Sequence, residues 1–183
     1  MKSCYFAADV ESSRGTVLPP ENNMVSFALC EVENPGAFFY SELQLLFPRW
    51  WDRRTEDVHL ITREYLRRNG KDPRTELEAA SKWVRAIANG RRPIFCAMPV
   101  RFDYGHLDWY FRHFGMPSPF SGTLDGRDQY RAIHGLPADA KVERTDVWKE
   151  FPPWQTHHTH HALSDVFEYE GVVAGMLRAQ GLL

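Results

Sequence analysis

Apolar and polar positions alternate in blocks along the chain, and the first blocks have the pattern of β-strands. Residues 3–8 form a short apolar run that ends at Asp9, which is typical of a buried strand. Residues 24–32 and 37–46 are rich in Val, Phe, Tyr and Leu, and the turn-forming Asn-Pro-Gly segment 34–36 separates them. These runs predict an antiparallel meander of three strands, with a hairpin between the second and the third.

The blocks that follow change to the spacing of helices. Asp72 and Pro73 supply an N-cap and a first-turn proline, and apolar positions at helical spacing follow them up to an Asn-Gly stop. Strands first, and alternating helices and strands afterwards, predict an α/β fold in which helices flank a mixed sheet. A further strand is predicted at 92–98, and helices at 57–68, 74–88, 102–114, 127–134 (in an otherwise irregular segment 118–138) and 160–180.

Composition narrows the class of protein. The 183 residues suit one domain, predicted to span residues 1–183, and 43% hydrophobic with 25% charged residues is typical of a soluble globular protein. No stretch approaches the length of a membrane span, and the three cysteines form no CxxC pair, which favours a reduced, cytoplasmic protein. A net charge of −2 disfavours a large duplex footprint but permits a short nucleic-acid substrate.

Acidic residues occur at three places in the sequence where they could contribute to a metal-binding or catalytic site. Asp9 and Glu11 are two apart at the end of the first strand, so both carboxylates can point to one face, where a divalent cation would offset their charge. A solvated strand end explains them equally well. Asp103 opens a helix and is also explained by capping, and Asp165 by a paired core carboxylate.

The order of these acids carries more information than any one of them. Asp-x-Glu on the first strand, Phe-Asp at a helix start and His-x-Ala-x-x-Asp near the C-terminus together resemble the motifs of the DnaQ-like, or DEDDh, 3′-5′ exonucleases of the ribonuclease H-like superfamily. The resemblance extends from about residue 4 to residue 177. One departure is Pro99, which stands where the family often has Asn.

This resemblance implies a fold, an activity and a set of site residues. The fold would be the ribonuclease H-like mixed sheet, an antiparallel meander of three strands extended by parallel strands. Asp9, Glu11, Asp103 and Asp165 would bind two Mg²⁺ or Mn²⁺ ions, and His160 would act as general base. The expected reaction is metal-dependent hydrolysis of phosphodiester bonds from a 3′ end.

The resemblance also suggests how a substrate would be held. Ser12 and Ser13 lie where the family meets the 3′-terminal nucleotide, and His106 shares a predicted helix face with Asp103. The expected partner is single-stranded nucleic acid with a free 3′ end, RNA being slightly favoured over DNA. A homodimer is a further expectation, since six tryptophans are numerous enough for some to lie at the surface.

Three alternatives remain open at this point. The same fold without turnover would be a non-catalytic nucleic-acid-binding module. His161 rivals His160 as the base, because it precedes Asp165 by one helical turn. Finally, the histidines of the segment 157–161 could belong to a zinc hydrolase, although no cysteine lies near them.

Overall fold

Five strands form one mixed sheet in the order β3-β2-β1-β4-β5, seen in a computed structural model that describes residues 2–153 and 159–183. The β1–β2 and β2–β3 pairs are antiparallel, whereas β1–β4 and β4–β5 are parallel. This confirms the predicted mixed sheet of a three-strand meander and added parallel strands. The strands are β1 (Ser3–Ser12), β2 (Met24–Glu31), β3 (Asn34–Glu42), β4 (Arg92–Ala97) and β5 (Gly122–Asp125).

Helices cover the sheet. The long α7 packs against β1 and β2, α3 packs against β3 and β4, and α4 packs against β4, β1 and β5. No helix among the described residues is long and apolar enough to cross a bilayer. The helices are α1 (Glu56–His59), preceded by a 3-10 turn (Arg53–Thr55), α2 (Arg63–Asn69), α3 (Pro73–Ala88), α4 (Val100–His113), α5 (Gly126–His134), α6 (Arg144–Glu150) and α7 (Ala162–Ala179).

The predicted hairpin and the predicted helix at 57–68 need correction. Glu31 pairs with Asn34, so the turn between β2 and β3 is at residues 32–33, and the Asn-Pro-Gly segment lies inside β3. The helix is broken because Leu60 adopts a left-handed conformation with φ 58° that ends α1. The Thr62 hydroxyl then caps α2 by accepting a hydrogen bond from Tyr65 N.

Three other differences concern the second half of the chain. The segment 118–138 contains the strand β5, whose four residues are too few to show a period. The helix α6 was not predicted, although Glu143 and Asp146 form a capping box at its start. The last helix begins at Ala162 rather than at residue 160, since His160 has a φ of 51°, which a right-handed helix does not accommodate.

The tryptophans are less exposed than the sequence suggested. The five tryptophans that the structure describes are all half-buried, and Trp50 is flanked by the guanidinium groups of Arg14 and Arg49. The homodimer therefore stays a prediction without support from exposed indole rings. The single-domain boundary at 1–183 also stays a prediction.

Candidate metal-dependent active site

The site begins where β1 extends beyond its parallel neighbour. Pairing of β1 with β4 ends at Ala7 opposite Cys96, whereas pairing with β2 continues to Ser12. Asp9 and Glu11 therefore lie past the last β1–β4 pair, at the carboxyl edge of the parallel part of the sheet. In open α/β sheets this edge is where binding sites are built.

Asp103 reaches this edge from the first turn of α4. Its Oδ1 accepts a hydrogen bond of 3.0 Å from Val10 N, which joins two residues that are 93 positions apart in the chain. The start of α4 is itself fixed by Asp125 at the end of β5, because Oδ2 of Asp125 accepts from Val100 N at 2.7 Å. The other oxygen of Asp125 accepts from Arg127 N at 2.9 Å and caps α5. One aspartate thus ties two helices to the site.

Asp165 and His160 reach the same edge from the start of α7. Asp165 is buried, and its Oδ1 accepts hydrogen bonds from Thr159 N at 3.0 Å and from the Thr159 hydroxyl at 3.1 Å. His160 is exposed and lies two residues before the first residue of α7. Glu11, His160 and Asp165 each offer one potential ligand atom, and these atoms all lie within 4.8 Å of one another. We call Asp9, Glu11, Asp103 and Asp165 the carboxylate cluster.

Burial and mutual repulsion both act on the carboxylate cluster. Burial, followed by the charge of Asp165, raises the pKa of Asp9 to about 8. Burial, followed by the charges of Asp9, Asp165 and Asp103, raises the pKa of Glu11 to about 10. The pKa of Asp103 is also raised, first by burial and then by Asp9. Asp9, Glu11 and Asp103 therefore favour their protonated forms at neutral pH unless a cation offsets the charge of the ionised carboxylates.

The cluster has the properties that a hard divalent cation requires. Its donors are carboxylate oxygens, which Mg²⁺ and Mn²⁺ prefer as ligands. Oδ2 of Asp9 is buried and has no hydrogen-bond partner among the residues that the structure describes, which is costly for a charged oxygen unless an ion binds it. The residues therefore fit the expected metal site.

A cavity of about 730 Å³ opens over the cluster, and we call it the acidic cavity. Asp9, Glu11, Asp103 and His160 line it. Its other walls come from the segment after β1, from α1 and from the starts of α4 and α6. Those walls include Ser12, Thr16, Leu18, Thr55, His59, Met98, Arg101, Phe102 and Arg144. The cavity is large enough for a nucleotide.

Of the predicted substrate-binding residues, only Ser12 lines the acidic cavity, and its hydroxyl donates to Gly15 O at 2.8 Å. Ser13 is fully buried and does not line the cavity, and its hydroxyl donates to Trp50 O at 2.7 Å. His106 is completely buried and does not line the cavity, so its contact with a substrate stays a prediction without support from exposure.

Hydrogen bonds occupy both ring nitrogens of His106. Nδ1 donates to Phe102 O at 3.0 Å, and Nε2 then accepts from Asn22 Nδ2 at 3.2 Å. Burial lowers its pKa to about 4, so the ring is neutral. Through Asn22, His106 anchors α4 against the loop after β1.

Three residues near the cluster were not expected from the sequence. His59 is buried in the cavity wall, and its Nδ1 accepts a hydrogen bond of 3.1 Å from Ile61 N. Arg144 lines the cavity from the start of α6. Glu168 lies one helical turn after Asp165, and burial, followed by the charge of Asp165, raises its pKa to about 7. Only Glu168 had a signal in the sequence, namely its i+3 spacing from a motif residue.

His161, the alternative candidate for the general base, does not line the acidic cavity. Nε2 of His161 is 3.3 Å from the hydroxyl of Tyr40, and the two rings are 5.3 Å apart.

A second cavity, of about 790 Å³, is lined by α2 and its surroundings, including Arg53, Arg63 and Arg67, and by no member of the carboxylate cluster. The zinc alternative depends on residues 157 and 158, which lie outside the described residues.

Comparison with known proteins places the fold. No family profile matches the sequence, and no curated protein matches it. The nuclease domain of 3′hExo, a DEDDh family member bound to rAMP, superposes with a TM-score of 0.77 at 14% identity, covering 97% of this chain and 92% of that one. Cell-death related nuclease 4 (CRN-4) gives a TM-score of 0.72 at 13% identity, covering 97% of this chain and 64% of that one.

A third solved structure, the zinc-bound form of the E. coli ExoI–ssDNA complex, gives a TM-score of 0.66 at 16% identity. It covers 98% of this chain and 41% of the other, so the similarity is to part of a larger protein. These structures confirm at the level of the fold the resemblance to DnaQ-like exonucleases: the chain has the ribonuclease H-like α/β fold on which DEDDh 3′-exonucleases are built.

Proposed function

We propose that this protein is a metal-dependent 3′-5′ exonuclease that hydrolyses phosphodiester bonds at the 3′ end of single-stranded nucleic acid. One observation carries the proposal. Acids from three separate parts of the chain, on β1, α4 and α7, meet at one sheet edge with His160 beside them. The buried, mutually repelling carboxylates favour a cation-dependent site over a merely solvated strand end.

The roles of the residues follow from their positions. Asp9, Glu11, Asp103 and Asp165 would hold Mg²⁺ or Mn²⁺. When bound, two such ions lower the pKa of an attacking water and neutralise charge on the phosphate. A ring nitrogen of His160 would accept the proton of that water, because His160 is exposed at the cavity and close to Glu11 and Asp165. His161 is a poorer candidate, since its ring packs on Tyr40.

The substrate would enter through the acidic cavity. Ser12 lines it, as expected for a residue near the 3′-terminal nucleotide. Phe102 offers an aromatic face on the same wall, and stacking on such faces is how single-stranded bases are commonly held. We keep RNA as the slightly favoured substrate, and the paired RNA and DNA assay tests this preference directly.

The test is degradation of paired RNA and DNA oligonucleotides that carry a 5′ label. With Mg²⁺ or Mn²⁺, the wild-type protein and the exposed-surface control Asp139→Asn should give a ladder that shortens from the 3′ end. Asp103→Asn should give none, because it keeps the size of the side chain but removes its charge. A circular single strand should stay intact, which separates exonuclease from endonuclease activity. Binding without degradation in both metals would select the non-catalytic module and refute the proposal.

Two matched variants test the assignment of the general base to His160. His160→Gln should lower kcat by about a hundredfold or more, the usual contribution of a general base, whereas His161→Gln should retain most activity. The opposite ranking would assign the base to His161.

A further inference from the structure

Two arginines, Arg101 and Arg144, line the acidic cavity, and Arg144 is the less exposed of the two. It is the first residue of α6 and lines the acidic cavity beside Asp9 and His160. It also lines a narrow adjoining cavity of about 40 Å³, together with Asp9, Asp165 and Glu168. Burial raises the pKa of both Asp9 and Glu168, and the charge of Arg144 acts in the opposite direction on each. The guanidinium group is therefore close enough to affect the cluster electrostatically.

Although Arg144 is near these acids, its guanidinium group forms no ion pair with any residue that the structure describes. Among the residues that the structure describes, no carboxylate oxygen lies within 4.0 Å of it, and no acceptor is within hydrogen-bond distance. By contrast, Arg91 pairs at 2.7 Å with Glu31, and Arg131 pairs with Asp128. Arg144 is half-buried. Its N–H donors are consequently available to a ligand.

An aromatic ring holds the guanidinium group in place. The group lies over the ring of Trp148, one helical turn along α6, at 5.4 Å from the ring centroid. Trp148 in turn packs against the main core and lines the narrow cavity. A cation–π contact of this kind orients the side chain without using its N–H groups. The guanidinium group of Arg144 is thereby held in place while its N–H donors remain unbonded to any residue that the structure describes.

The chemistry of this arrangement selects the ligand. The carboxylate cluster attracts cations and repels anions, so an anionic substrate needs a fixed positive group nearby. A guanidinium matches the geometry of a phosphate with two parallel N–H···O bonds. We propose that Arg144 binds the phosphate group that is cleaved, which becomes the 5′-phosphate of the released mononucleotide. This inference rests on the proposed function, since it assigns a further contact in the same site.

The alternative role is structural. Arg144 could do no more than offset the negative charge of Asp9 and Glu168. Removing it would then increase the affinity for divalent cations, because the cluster would be more negative, and would leave phosphate recognition unchanged. Ligands with and without a phosphate separate the two roles.

The experiment compares the binding of AMP and adenosine by calorimetry, in EDTA and in Mg²⁺. Neither ligand contains a phosphodiester bond, so the measurement does not depend on turnover. Arg144→Gln should weaken AMP binding by about tenfold or more, which is the usual effect of losing a charge-assisted hydrogen bond, and should leave adenosine binding unchanged. Arg144→Lys should show a smaller loss, since it keeps the charge but not the fork. Arg85→Gln, an exposed position on α3, should change neither.

Each contrary outcome is informative. Equal AMP affinity in wild type and Arg144→Gln, or tighter Mg²⁺ binding with unchanged AMP binding, would overturn the inference, as would a wild-type protein that prefers adenosine to AMP. If Arg144→Gln does not fold, the comparison of Arg144→Lys with wild type decides. Arg144-dependent AMP binding in a protein that degrades no oligonucleotide would refute the nuclease and keep the phosphate site. An active nuclease with Arg144-independent binding would do the reverse.

Discussion

Replacing Asp9 by asparagine should stabilise the metal-free protein at neutral pH, although it should abolish nuclease activity. Burial, followed by repulsion from Asp165, raises the pKa of Asp9 to about 8 in the folded protein, whereas an aspartate in an unfolded chain titrates near about 3.9. Between these values the folded protein holds a proton that the unfolded chain releases. The stability due to that proton is complete below the unfolded pKa and is lost as the pH rises toward 8.

The size of the effect follows from this window. One group that is protonated only in the folded state changes the free energy of unfolding by up to about 1.4 kcal/mol per pH unit. From pH 5 to pH 7.5 this amounts to a ceiling of about 3 kcal/mol, and proton sharing with Glu11 lowers the effect below that ceiling. Asparagine cannot ionise. The free energy of unfolding of Asp9→Asn relative to wild type should therefore increase by up to about 3 kcal/mol over this range.

Urea denaturation followed by circular dichroism would measure the difference. Wild type, Asp9→Asn and the exposed control Asp139→Asn would be unfolded in EDTA at several pH values between 5 and 7.5. The control curve should follow wild type, because its carboxylate is exposed. In saturating Mn²⁺ wild type should regain the lost stability and Asp9→Asn should not, since ligand binding to the folded state stabilises it. Parallel pH profiles for wild type and Asp9→Asn in EDTA would refute the reasoning.

Three further predictions concern the scaffold around the site. Tyr110→Phe should destabilise the protein by about 1–3 kcal/mol, because the buried Met24 N–H loses its acceptor at 2.9 Å; a change below about 0.5 kcal/mol in urea denaturation would contradict this. Gly70→Ala should also destabilise it, with a lower melting temperature in calorimetry, since a Cβ there would lie 2.5 Å from Leu66 O; an unchanged melting temperature would show that the backbone yields. The ring of His106 should titrate near pH 4 by NMR, so its contribution to stability should be complete above about pH 6.5 and lost as the pH falls toward 4; titration near 6.5 would disprove it.

The sequence was sufficient for the parts of the fold that local rules determine. The buried run of β1, the Asp72-Pro73 start of α3 and the meander all follow from periodicity and capping. The four acids that meet in the carboxylate cluster were proposed as site residues from the order of three motifs. The break after α1 and the short β5 were not, since one left-handed residue or four strand residues leave no periodic signal.

Residues that reach the site through tertiary packing were beyond prediction. Arg144 lies 135 positions after Asp9, and only the course of the chain through β5 and α5 brings it into the cavity wall. The prediction placed His106 on the same face of α4 as Asp103, but it did not account for the position of His106 along the helix axis. His106 does lie one turn after Asp103, yet that turn carries it away from the end of β1 and toward Asn22. Helical spacing gives the direction of a side chain and not the neighbour that it meets.

The same geometry explains why protons would compete with any metal ion that binds at this site. Strand ends and helix starts meet at one edge of the sheet. The fold therefore brings the carboxylates together before any cation is present. Asp9 and Glu11 respond by retaining protons at neutral pH. A divalent ion that binds there must displace those protons, because its ligands are the ionised carboxylates. Metal affinity should therefore rise with pH, and the pH dependence of activity should depend on the metal concentration as well as on His160.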